Sequence, residues 1–295
     1  MKNRFLLSLA ALAVCLSFAS PYEAGAEGIW NVSIAENEKV VPSSPLILNT
    51  GWDIAESTVA LGAFVSSYIY QKTIDYPVWN GEKLDINTVN AFDRWAAHPY
   101  NSGFNLASNI TTVLNVAVLP VMFFGAEAFS GNMAVKDLLV VSKLYADSCL
   151  LTLGIKDWIK VGVNRTRPYM YFDNPSQSEI ESGNYTLSFP SGHTAAAFMT
   201  ATFLNYTLCQ YYPDSLIKWP VIGTAYGIAV LTGAFRIYSG CHFLTDVLAG
   251  AAIGSVVGIA VPLLHTKGIF SKSLDDGTNV NAALSPMGFN ISVSF

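Results

Sequence analysis

Three short stretches gather the residue types that hold and attack an oxyanion: Lys160-x6-Arg167-Pro168, Pro190-Ser191-Gly192-His193 and Arg236-x5-His242-x3-Asp246. The whole chain has sixteen Lys plus Arg and four His, so this concentration is informative. A tetrahedral oxyanion needs donors converging from several directions, a nucleophile in line with the scissile bond and an acid on its far side. These residue types can supply all three.

Each stretch sits where a helix starts or stops. The run before Lys160 reads as a helix, and Pro168 cannot continue one and pushes Arg167 out of the α region. Lys160 is therefore expected on a last helical turn and Arg167 in the loop beyond it. Arg offers a planar fork for phosphate oxygens and Lys a point charge. A basic cluster flanking a membrane, with Arg165 as a third member, reads the same residues more simply. Pro190, Ser191 and Gly192 precede a long apolar run. Backbone amides at a helix start form an anion site, Gly192 permits close approach, and the Ser191 hydroxyl adds a donor beside His193. Ser191 as a plain helix cap is the simpler alternative. His242 and Asp246 are four apart and share one face if both are helical. An Asp accepting from one imidazole nitrogen sharpens the other as nucleophile or base. A capping pair is the alternative, and a metal site is disfavoured because few further ligands lie at suitable spacing.

Taken together and in this order, the motifs resemble the type 2 phosphatidic acid phosphatase superfamily, which also contains vanadium haloperoxidases. Its signature reads K-x6-RP, PSGH and SR-x5-H-x3-D, and the chain matches it over roughly residues 100–265 apart from Phe235 in place of the Ser. The resemblance implies that His242 attacks phosphorus and forms a phosphohistidine, oriented by Asp246. It implies that His193 protonates the leaving oxygen and later activates water. Lys160, Arg167, Ser191, Gly192 and Arg236 then bind the phosphate oxygens. No cofactor and no metal is implied. The Phe235 departure bears on one polar contact beside Arg236. A lipid phosphate or polyprenyl diphosphate is the implied substrate. A phosphotransferase with a lipid phosphate donor, a vanadate-binding haloperoxidase and a non-catalytic lipid-phosphate binder are the alternatives.

Composition points to a membrane. The 295 residues are 52% hydrophobic and 13% charged, half the usual charged share. Mean hydropathy is +0.38. A net charge of −5 is no nucleic-acid signature, so the motif cations form a local positive site in an acidic chain. Cys149, Cys209 and Cys241 are odd in number beyond Cys15 and imply no disulfide framework.

The elements that must position the motifs follow from the apolar runs. Uncharged runs at 105–126, 194–212, 219–235 and 247–264 suit spanning helices. Segment 137–159 is helical in pattern but carries Lys143, Asp147, Lys156 and Asp157, whose charges should face the bundle interior. Segment 52–71 is expected to lie on or in the membrane without crossing, because its uncharged run is short. A short helix is expected within 87–98, and loop 169–189 reads as a flexible acidic rim. Gly and Ala at helical spacing in 247–264 allow close helix contact. Residues 1–26 read as a signal peptide, 27–103 as lead-in, first helix and interfacial connection, 104–265 as the phosphatase domain and 266–295 as a polar tail. The tail's Phe289, Ile291, Val293 and Phe295 alternate as in a strand. The expected architecture is all-α, a membrane-embedded bundle of about five to six long helices. The implied location is the inner membrane of a bacterial-type envelope, with the site facing the periplasm or outside.

Overall fold

The computed structural model describes residues 44–74, 79–173 and 175–267, and the backbone of 279–285 and 288–294. The expected signal peptide, residues 1–26, lies outside the described residues.

Helix α1 is Thr50–Thr73, α2 the short Ala91–Arg94, α3 Ser102–Val113, α4 Leu119–Phe129 and α5 Val135–Val163. Helix α6 is Gln177–Glu181, α7 Gly192–Tyr211, α8 Lys218–Tyr238 and α9 Leu244–Leu264. A two-stranded antiparallel hairpin, β1 Asn279–Ser285 and β2 Gly288–Ser294, follows, and it accounts for the alternation at 289–293. The architecture is the expected membrane-embedded helical bundle. Among the described residues, four stretches are long and apolar enough to cross a membrane: Ser102–Phe129, Val135–Tyr171, Lys218–Tyr238 and Leu244–Leu264. The run at 194–212, expected among the spanning helices, is not one of them. Its Thr194, Thr200, Thr202 and Thr207 lower its hydropathy, and they are buried inside the bundle.

Helix α7 is the core of the molecule. Ala195, Ala197, Ala201, Phe203, Leu204 and Leu208 are fully buried, with α9, α8 and α5 packed around them. Its polar residues are matched: the Thr200 and Tyr145 hydroxyls pair at 2.7 Å. Tyr145 also donates to the Val116 carbonyl at 2.6 Å. Val116 lies in a π-helical turn, Leu114–Val118, that joins α3 to α4. The buried Asn115 of that turn donates to the carbonyls of Ala197 on α7 and Ala225 on α8. A wide turn thus turns one polar side chain inward to stitch three helices together. Val121, Met122, Val230 and Val256 point outward, as lipid contact requires.

Helix α1 runs parallel to α5 along its whole length. Asp53 pairs with Lys143 at one end, and Tyr70 lies against Trp158 at the other. At the middle, a Cβ on Gly154 would overlap Ala63. The charges on α5 face inward as expected. Lys143 lies 3.1 Å from Asp53, 3.4 Å from Glu56 and 2.9 Å from Asp147. His265, just past α9, lies 2.8 Å from Asp53 and 3.2 Å from Glu56. This clasp ties the start of α1 to the first half of α5 and the end of α9. Burial opposes charge on His265, but hydrogen bonds to Asp53 and the Val261 carbonyl raise its pKa above the ordinary imidazole value. A raised histidine contributes stability that is full below about 6.5 and fades as pH rises through the folded value. We therefore expect His265→Gln to cost about 1–3 kcal/mol near pH 6. The gap in melting temperature between variant and wild type should shrink toward alkaline pH. A gap that widens toward alkaline pH would contradict the clasp.

Candidate active site

Five elements meet at the end of the bundle away from the clasp. Helices α5 and α8 finish there, and α3, α7 and α9 begin there. Lys160 sits on the last turn of α5, and Arg167 follows in extended backbone at φ −74° and ψ 152°, ahead of Pro168. Both positions are as the sequence predicts. The Lys160 ammonium donates to the Leu187 carbonyl at 2.8 Å, and Arg167 Nε donates to the Asn184 carbonyl at 2.7 Å. Both side chains are buried. The loop 169–189, expected to be a flexible rim, is instead packed. Tyr169, Met170 and Tyr185 form a buried cluster with Cys241. Backbone bonds from Arg167 to Tyr185 and from Ser188 to Arg165 fold the loop back on itself.

Ser191 precedes the first residue of α7, and its hydroxyl pairs with Thr194 at 2.9 Å. Its N–H donates to the Asp246 carbonyl at 2.9 Å, which docks the start of α7 onto α9. A Cβ on Gly192 would stand 2.8 Å from the Lys156 Cδ, so Lys156 would have to shift to admit one. His193, on the first turn, shares a 2.7 Å hydrogen bond between Nε2 and the Asn109 Oδ1 on α3. Arg236, on the last turn of α8, donates to Asn105 Oδ1 at 2.5 Å and to Ser108 Oγ at 3.0 Å. Phe235 packs its ring, tilted, against that of Phe104 instead. The polar contacts beside Arg236 therefore come from α3.

His242 does not lie on a helix, as a shared helical face with Asp246 would require. Helix α9 begins at Leu244, because the Asp246 carboxylate accepts the Phe243 N–H at 2.8 Å and caps the helix there. His242 thus stands in the turn before α9, buried, with Nδ1 3.6 Å from Asp246 Oδ2. That is beyond hydrogen-bond range. The other Asp246 bonds come from Arg165 at 2.6 Å and Ser188 at 2.5 Å. Burial and the nearby charges of Arg167, Arg236 and Lys160 hold the His242 pKa well below the ordinary imidazole range. The same three cations and His242 act on His193. All eight residues singled out in the sequence therefore meet in one place.

Sequence reasoning missed Asn105, Ser108, Asn109 and Asp93. The first three form a polar stripe at helical spacing on an otherwise apolar run, a signal that was there to be read. Nothing in the sequence marks Asp93. Lys156, noted only as a charge on α5, packs over Gly192 and pairs with Asp157. Among the described residues, Asp53, Glu56 and His265 are the one grouping with metal-ligand atoms in reach of each other. It belongs to the clasp at the opposite end, where Lys143 already lies against its carboxylates.

Residues 143–269 match the family model of the PAP2 superfamily. A phosphatidylglycerophosphatase B of Bacillus subtilis is 33% identical over 149 residues, covering 50% of this chain and 64% of that protein. A PA-phosphatase related-family protein of Dictyostelium discoideum is 30% identical over 128 residues, 41% of this chain and 47% of that one. A lipid A 1-phosphatase of Porphyromonas gingivalis is 41% identical over 76 residues, 26% of this chain and 16% of that one. The chain spans less than two thirds of the length of each of these curated relatives, and about half that of the Dictyostelium protein.

Proposed function

We propose that the chain is a membrane phosphatase that hydrolyses a lipid phosphomonoester or diphosphate through a phosphohistidine intermediate, without a metal. The observation that carries this reading is the meeting of Lys160, Arg167 and Arg236 around the imidazoles of His193, at the start of α7, and His242, in the turn before α9. Three cations and the α7 amides suit the dispersed negative charge of a phosphoryl group in transit. His242 Nδ1 faces Asp246, which leaves Nε2 for attack. The Nε2–P bond forms as the P–O bond to the lipid breaks, and His193 gives the leaving oxygen a proton. Water then attacks phosphorus, His193 takes its proton, and the P–N bond breaks to release inorganic phosphate. The names of the relatives support a lipid substrate: phosphatidylglycerophosphate and lipid A phosphates head the panel to try. A site at one end of the spanning helices lets an acyl tail stay in lipid while its headgroup enters.

The test is phosphate release from detergent-dispersed lipid phosphates in excess chelator. Release that survives chelation supports the reading. Release restored only by added metal overturns its metal-free step, and no release from any lipid phosphate overturns it whole. Transfer of label to an added alcohol in place of water would mark a phosphotransferase.

The pH profile is a second check. His242 attacks only when neutral, and burial with the three cations lowers its pKa. Protonation therefore switches activity off only below the free imidazole range. With a substrate whose own phosphate does not titrate there, we expect the acid limb of kcat/KM to fall below about 6.5. An acid limb above that value would remove His242 from the nucleophile's role.

A further inference from the structure

We infer that Arg165 and Asp93 are positioning residues for catalysis, holding Asp246 and through it the nucleophilic imidazole of His242. The inference rests on the phosphohistidine reading above. Arg165 bridges two buried carboxylates. Its Nη1 donates to Asp246 Oδ1 at 2.6 Å and to Thr245 Oγ1 at 2.7 Å, and its Nη2 donates to Asp93 Oδ2 at 2.7 Å. The guanidinium carbon stands 4.2 Å from the centre of the Phe243 ring, on the residue next to His242. Both carboxylates are fully buried.

Asp93 is a built anchor. Its Oδ1 accepts the Thr245 N–H at 2.9 Å, and its Oδ2 accepts the Thr245 hydroxyl at 2.7 Å and Asn90 Nδ2 at 2.9 Å. Burial opposes its charge, yet the bonds from Arg165, Thr245 and Asn90 bring its pKa below the usual carboxylate range. The short α2 is itself fixed, because Arg94 donates to the carbonyls of Val89 and Asn87. A segment outside the matched region 143–269 therefore reaches into the site and clamps it.

The clamp has a chemical purpose. Asp246 Oδ2 already accepts from Ser188 and the Phe243 N–H, and Arg165 takes the other oxygen. With every direction tied, the carboxylate cannot swing away from His242 Nδ1. Arg165 also offsets part of the negative charge that two buried carboxylates place together. A Lys at position 165 carries the charge but lacks the fork that reaches both acids.

The experiment compares Asp93→Asn, Arg165→Lys and the double variant with wild type and His242→Ala on one lipid phosphate. Both single variants should lose roughly 10- to 100-fold in kcat per folded molecule, the cost of a nucleophile held slightly out of line. KM should stay near wild type, because the phosphate-binding cations are untouched. The double variant should be little worse than either single one, since both act on the same carboxylate. A fall in melting temperature with wild-type kcat in the folded fraction would make the clamp structural only and overturn the inference. Where the charge variants fail to fold, Thr245→Val removes hydrogen bonds to both Asp93 and Arg165 without touching a charge. A smaller kcat loss there supports the inference, and an unchanged kcat overturns it. A wild type inert on every lipid phosphate overturns the parent reading and this inference with it. An active wild type beside unimpaired Asp93 and Arg165 variants overturns this inference alone.

Discussion

Replacing His242 with Ala should cut phosphate release by about 10⁴-fold or more while leaving a folded, monodisperse protein. The size of the loss follows from what remains. In the proposed mechanism Lys160, Arg167, Arg236 and the α7 amides remain to bind the phosphate, so KM should change little, but water must then attack unaided. The fold should survive because His242 lies in a turn and stitches no helices together. Its nearest carboxylate, Asp246, keeps its bonds to Arg165, Ser188 and the Phe243 N–H. A rapid acid-free quench with labelled substrate should trap label on wild type as a phosphoramidate, stable to alkali and lost in acid, and none on the variant. His193→Ala should behave differently. In the proposed mechanism it removes the acid that helps the lipid oxygen leave and the base that activates water. With an aryl phosphate, whose leaving group needs no acid, the first step should proceed and phosphoenzyme should accumulate. Label that survives in His242→Ala, or release that continues, would require another nucleophile.

The chemistry of the site was far more legible than its support. Lys160, Arg167, Ser191, Gly192, His193, Arg236, His242 and Asp246 were readable because each lies at a helix boundary with its own signal: a Pro, a Gly, a charge beside an apolar run. The helices themselves were readable from hydropathy, with boundaries within a few residues, as at α5 and α8. Two kinds of feature were not. Asp93 holds the site through tertiary contacts with Arg165 and Thr245, more than seventy residues away, and no local pattern encodes that. Helix α7 reads as a spanning run, but its place at the centre follows from what packs on it. The inward-facing Thr200 becomes meaningful only when Tyr145, itself bonded to the π turn at 114–118, supplies its partner. Loop 169–189 misled for the same reason. Its acidic composition suggests a solvated rim, whereas Tyr169, Met170 and Tyr185 pack it down against Cys241.

Gly254→Leu should prevent α7 and α9 from docking, at a cost on the order of 4 kcal/mol or more. Asp246, Gly250, Gly254 and Gly258 recur every four residues and so share one face of α9. A Cβ at the three glycines would overlap, in turn, the carbonyl oxygens of Ser191, Ala195 and Met199 on α7. Backbone therefore meets backbone along three turns, the close approach that small residues permit inside a bilayer. The obstacle at Gly254 is main chain, which has no rotamer to swing aside, so the helices must part. Parting them also breaks the Ser191 N–H bond to the Asp246 carbonyl and moves His193 away from His242. The stripe thus links packing to the proposed chemistry: the same face that brings Asp246 beside His242 pulls the turn at Ser191 and Gly192 onto it. Gly227→Leu on α8 is the control, because nothing lies within 4 Å of a Cβ there. Solubilised Gly254→Leu should elute aggregated or melt many degrees lower, with Gly227→Leu like wild type. The milder Gly250→Ala, which presses on the Ser191 carbonyl beside the site, should lose more kcat than stability. A monodisperse Gly254→Leu with wild-type melting and activity would mean that the two helices are not held this closely.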